Sequence, residues 1–94
     1  MLTIRKTDAF APWLDSMADA RAKARVLVRI DRLADGNPGD TRPVGDGVME
    51  LRIDYGPGYR VYYIRQGRDI VVLLAGGDKS SQPRDIAAAK RLAE

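Results

Sequence analysis

The chain has 94 residues, a length that suits one domain with one modest core. It contains no cysteine and no histidine, which excludes disulfides, thiolate and Ser-His-Asp catalysis, zinc–sulfur centres and most transition-metal sites. Sixteen Lys and Arg against thirteen Asp and Glu give a net charge of +3, and twelve of the sixteen cations are Arg, the side chain that grips carboxylate or phosphate through two bonds.

No run of about 18 apolar residues is present, so no membrane span is expected. The opening MLTIRKTDAF lacks an apolar leader core. A single cytoplasmic domain over 1–94 is therefore expected. Met1 to Lys6 alternates weakly and reads as a first strand. Thr7 or Asp8 caps a short helix, Ala9 to Leu14, kept short by Pro12. Ser16 and Asp19 resemble a capping box, so the long helix is expected from about Met17 to Ala34, stopped by Gly36. Val26, Ile30 and Leu33 line one face, with Ala20, Ala24 and Leu27 continuing the apolar side. Arg21, Arg25, Arg29 and Arg32 form a separate ridge, read either as a solvated face or as a binding ridge for an acidic partner or RNA backbone.

The segment Gly36–Gly47 is rich in Gly and Pro and reads as a loop. Three strands follow, Val48 to Ile53, Tyr59 to Arg65 and Ile70 to Ala75, as an antiparallel meander. A last helix spans about Gln82 to Ala93, capped by Ser80 or Ser81, with Pro83 in its first turn. The order is strand, helix, helix, three strands, helix.

Alternation then sorts the hairpin. If the turn Asp54–Gly58 closes regularly, Ile53 faces Tyr59, Arg52 faces Arg60 and Glu50 faces Tyr62. Met49, Leu51, Ile53, Tyr59, Val61 and Tyr63 then pack under the helices. Glu50, Arg52, Arg60 and Tyr62 share the opposite face. Two arginines directly across a hairpin repel unless an anion lies between them. The pair reads either as a phosphate clamp or as an ion network bridged by Glu50. Tyr62 beside the cations, and Tyr55 in the turn, are candidates to stack on a base. In AGGDKSS, Gly76-Gly77 is expected to release the chain from the sheet, and Lys79 lies near a helix N-terminus that favours an anion. Asp46-Gly47 and Asp78 read as turn formers or, alternatively, as ligands of a hard cation.

The segments GVMELRIDYGPGYRVYY and IVVLLAGGDKSSQPRDIAAAKRLAE, with the preceding LADGNPGD, resemble the RelE/ParE superfamily of type II toxin–antitoxin toxins. The likeness is greatest to its HigB-like, phage Gp49-related branch. It implies an α+β fold, β-α-α-β-β-β-α, with a central antiparallel sheet packed by helices. It also implies a ribosome-dependent mRNA endoribonuclease that inhibits translation, silenced by a HigA-like helix-turn-helix antitoxin in a hetero-oligomer. The ParE side of the superfamily instead poisons DNA gyrase, and a non-catalytic basic interaction module is a further alternative. Carried over by motif, the Arg of GYR is Arg60, and the basic position after the last strand is on or near Lys79. The preceding strand offers Glu50 and Arg52. The region where relatives place Tyr or His holds Asp85 and Ile86. The implied chemistry needs no metal or cofactor, because the RNA's own 2′-hydroxyl attacks the phosphate. Arg52, Arg60 and Lys79 suit charge stabilisation. Glu50 is the default base on that face. Tyr62, Tyr55 and Arg65 are the expected RNA contacts.

Overall fold

A computed structural model describes residues 1–94. The chain forms β1 (Thr3–Lys6), α1 (Phe10–Asp15), α2 (Ala20–Ala34), β2 (Thr41–Gly45), β3 (Val48–Ile53), β4 (Tyr59–Gln66), β5 (Ile70–Asp78) and α3 (Gln82–Leu92). A 3-10 turn over Lys79–Ser81 leads into α3. The strands build one sheet in the order β1-β5-β4-β3-β2. β1 runs parallel to β5, and all other neighbours are antiparallel. The fold is α+β, as expected, with one strand more than the sequence reading placed. No helix is long and apolar enough to cross a membrane.

The helix ends follow from local hydrogen bonds. Thr7 Oγ1 accepts the Phe10 N–H and starts α1. Ser16 donates its hydroxyl to the Trp13 carbonyl and closes α1 instead of opening α2. The cap of α2 is Asp19, which accepts the N–H groups of Arg21 and Ala22. At the other end Gly36, with φ 86, lets the Gly36 and Asn37 N–H groups return to the carbonyls of Leu33 and Arg32. That is a Schellman stop.

Helices cover both faces of the sheet. On one face, α1 and α2 pack Phe10, Leu14, Val26, Ile30 and Leu33 against Leu51, Ile53, Val61, Tyr63, Val71 and Leu73. The expected packing side of the hairpin is therefore the observed one. The buried row of α2 is Ala22, Val26, Ile30 and Leu33, whereas Ala24 and Leu27 are exposed. On the other face, α3 lays Ala89 and Ile86 over Val48, Tyr62, Leu74 and Ala75. This second layer explains why Val61, Tyr62 and Tyr63 are buried in succession: a strand covered on both sides loses its polar alternation.

Two loop readings are corrected. Thr41–Gly45 is an edge strand, where Pro43 is tolerated because an edge has N–H positions that need no ladder partner. The signal was Asp46-Gly47, a two-residue hairpin turn with φ of 57 and 79, the positive pair a type I′ turn requires. Gly76 and Gly77 do not release the chain. They continue β5, paired with Val61 and Arg60. They are glycines because of close neighbours: a Cβ on Gly76 would collide with the Trp13 indole and one on Gly77 with the Asp85 carboxylate. Gly76→Ala must push a packed ring aside, and such overpacking costs about 1–3 kcal/mol. Thermal melting should show that loss, and an unchanged melting temperature would mean that Trp13 is free to move.

Candidate functional site

The β3–β4 register is the one alternation predicts. Arg52 faces Arg60, and Glu50 faces Tyr62. The two ends of this face have different surroundings. Under the start of α3 lie Glu50 and Tyr62, both 0% exposed. Beyond α3, toward the β3–β4 turn, Arg52 and Arg60 open into a cleft of about 400 Å³. Lys79, carried by the 3-10 turn, joins them there, and Asp40 and Asp54 complete its charged lining. Gly58 forms the floor, with the Arg60 guanidinium and the Lys79 Cβ each about 3.5 Å from where its Cβ would be.

Glu50 is a buried hub. Its carboxylate accepts from Arg42 Nε at 2.8 Å, from Gln82 Nε2 at 2.7 Å and from the Tyr62 hydroxyl at 3.0 Å. Arg60 Nε approaches at 3.9 Å. Burial pushes the Glu50 pKa up, but the bonds from Arg42, Gln82 and Tyr62 outweigh it and hold the carboxyl below its ordinary range. Burial and the bond to Glu50 both push the Tyr62 phenol up. These facts correct two expectations. Glu50 has no path to a substrate proton and is held ionised, so it is not the general base. Tyr62 lies beneath α3 and has no face to offer a base. The hub does contain an arginine bridge, but its members are Arg42 and Arg60.

Arg52 pairs instead with Asp40, which accepts from Nε at 3.1 Å and Nη2 at 2.8 Å. Arg60 is the least satisfied group of the site. Its side chain is 13% exposed, its Nε is buried without a hydrogen-bond partner, and Nη1 makes one 3.3 Å bond to the Tyr59 carbonyl. A guanidinium this enclosed normally satisfies its five donors; Nε is sealed beside Glu50, so the donors left for an anion in the cleft are those of the Nη groups.

The remaining candidates disperse. Tyr55 is half-buried, packs on the α1–α2 core and carries the Arg25 guanidinium 4.5 Å above its ring. Arg65 lies five residues along β4 from Arg60, about 16 Å away, and donates to the Arg68 carbonyl. It is not part of the cleft. The amides after β5 are taken by Asp78, which accepts from the Ser80 N–H and hydroxyl and is held below its ordinary pKa by those bonds. Asp46 lies 3.9 Å from Lys90. Both carboxylates suggested as cation ligands thus serve turns and ion pairs. No group of three or more Asp and Glu is gathered for a metal.

Asp40, Asp54, Arg42 and Gln82 were not singled out from sequence. Reading Asp46-Gly47 as a hairpin turn would have paired Gly45 with Val48 and recovered β2, but regular counting then sets Pro43 opposite Glu50, and only a bulge between Pro43 and Gly45 brings Arg42 there. Nothing local announces Gln82 or Asp40, whose partners are 32 and 12 residues away.

A family model described as "Phage derived protein Gp49-like" matches residues 12–94. An uncharacterized protein of Haemophilus influenzae is 50% identical over 93 residues, covering 99% of this chain and 94% of the relative.

Proposed function

The chain belongs to the phage-derived Gp49-like family, a RelE/toxin-like family, and from that premise we propose that it is the toxin of a type II toxin–antitoxin pair acting as an mRNA endoribonuclease on the ribosome. One observation carries the catalytic part of the reading: three cations, Arg52, Arg60 and Lys79, converge on a single open cleft, and the most buried of them makes only one long hydrogen bond. Such an array suits the extra negative charge of a phosphorane-like transition state. The 2′-hydroxyl of the RNA attacks the adjacent phosphorus, and the bond to the 5′-oxygen of the next nucleotide breaks. Arg60 and Arg52 stabilise the equatorial oxygens. Lys79, exposed at the cleft, protonates the leaving oxygen. Asp54 lines the cleft and makes no ion pair, so it is the carboxylate placed to take the 2′-hydroxyl proton. A HigA-like helix-turn-helix antitoxin, bound in a hetero-oligomer, keeps the activity silent.

A 94-residue domain has few groups with which to fold a flexible strand into in-line geometry. The ribosome supplies that alignment, which can account for about 7–11 kcal/mol of a barrier. Induction without antitoxin should stop amino-acid incorporation within minutes while plasmid supercoiling persists. Purified protein should cut ribosome-bound mRNA far faster than protein-free mRNA. Early loss of supercoiling with translation intact would instead identify gyrase as the target, and rapid cleavage of protein-free mRNA would remove the ribosome from the mechanism.

A further inference from the structure

We propose that Asp40 is a built-in competitor for the cleft, holding Arg52 as an exchangeable counter-ion and so raising the threshold for every anion, which a polyanion able to engage Arg60 and Lys79 together is best able to pass. The proposal rests on the phosphate-cleft reading above. Asp40 Oδ1 takes one whole edge of the Arg52 guanidinium, its Nε and Nη2 donors. While that pair is closed, Arg52 cannot offer this edge to a ligand. The side chains are 40% and 52% exposed, so the pair is solvated and contributes little to stability. It opens readily, in contrast to Glu50, which three donors hold without exposure.

The carboxylate is nevertheless aimed. The Asp40 carbonyl accepts the Arg52 N–H at 2.9 Å and Arg29 Nη2 at 3.2 Å. Arg29 also donates to the carbonyls of Pro38 and Arg52. Gly39, with φ 67, lets that guanidinium lie 3.1 Å from where its Cβ would be. One arginine of the α2 ridge therefore clamps the Asp40 backbone onto β3 and points its side chain into the cleft.

Across the cleft, Lys79 makes no ion pair and Arg60 has only the distant Glu50. A monoanion that displaces Asp40 from Arg52 trades one solvated contact for a similar one. A pyrophosphate or an RNA backbone makes the same trade and adds contacts to Arg60 and Lys79. Asp40 thus raises the threshold for all anions and leaves the multivalent ones able to pass it.

Asp40→Asn keeps the backbone bonds and removes the charge. Affinities for inorganic phosphate, pyrophosphate and an uncleavable 2′-O-methyl dodecaribonucleotide should be measured at low salt, for the parent, Asp40→Asn, Asp40→Ser and Arg60→Gln. Both Asp40 variants should bind all three probes about two- to five-fold more tightly, the range that opening one exposed pair allows. Adding Arg52→Gln to Asp40→Asn should abolish the gain. Unchanged or weaker binding by both Asp40 variants, with Arg60→Gln still weakening it, would overturn the role of Asp40 and leave the cleft assignment standing. Binding insensitive to Arg60→Gln, or absent throughout, would overturn the cleft assignment itself and this proposal with it.

Discussion

Arg60→Ala should lower RNA cleavage by about 100- to 1,000-fold, the effect of losing one preorganised contact worth about 2.7–4 kcal/mol to a transition state. The substitution should leave the fold standing, because two opposed contributions nearly cancel. Losing two buried methylenes costs about 1.6 kcal/mol at about 0.8 each. Removing a buried donor that has no partner returns about 1–3 kcal/mol. The ion pair given up is a 3.9 Å approach, and Glu50 keeps its three closer donors. Net stability should change by less than about 2 kcal/mol. Arg52→Ala should lower activity as well, and Lys79→Ala less, since its exposed stem holds the charge loosely. Growth arrest and thermal melting are to be followed together at matched protein level. A fully toxic Arg60→Ala would remove the cleft from the mechanism. An unfolded one would make Arg60 structural.

The hairpin was the legible part of this molecule. Residue alternation and a five-residue turn are local properties, and they placed Arg52 opposite Arg60 in the observed register. The core side of β3 and β4 followed from the same pattern. What was not legible is which sheet face each helix covers. The last helix is short and its apolar residues are mostly alanine, so its sequence does not say that it buries Glu50 and Tyr62. Without that layer the pair looks like a solvent-facing acid and aromatic, and both were assigned chemistry that burial denies them. β2 was hidden by composition: Gly and Pro marked its ends and its edge, not its absence. In β5, Gly76 and Gly77 answer to Trp13 and Asp85, about 63 and 8 residues away along the chain, and no local propensity reports such contacts. The cleft was therefore half visible. Its cations came from one hairpin and one turn, whereas Asp40 reaches it through a tertiary clamp by Arg29.

Removing the carboxylate of Glu50 should have the largest effect on stability. Its loss leaves the Tyr62 hydroxyl and the Gln82 amide without their acceptor and Arg60 without its nearest anion. Breaking a buried charge cluster from one side typically costs about 3–5 kcal/mol. For a domain of this size that lowers the melting temperature by about 12–40 °C, a large share of a total near 5–15 kcal/mol. Glu50→Ala is therefore expected to be barely folded, and Glu50→Gln, which keeps one acceptor, is the variant for pH work. In the parent the folded-state Glu50 pKa lies below its ordinary value of 4.5, so the native state binds fewer protons than the unfolded chain as pH falls past that value. The stability Glu50 contributes is complete above about 4.5 and is lost as pH drops through the folded pKa. Tyr62 has the opposite sign. Its pKa is raised from 10.0, so its contribution is complete below that value and is lost as pH climbs through the folded pKa. Stability should accordingly be flat between the two limits. Glu50→Gln should flatten the acid limb, leaving the smaller slope of Asp78, whose pKa is also lowered. Denaturant melts of parent and variant from pH 2 to 7 give the comparison. An acid limb as steep in Glu50→Gln as in the parent would place the titrating carboxylates elsewhere and deny Glu50 its role at the centre of the hub.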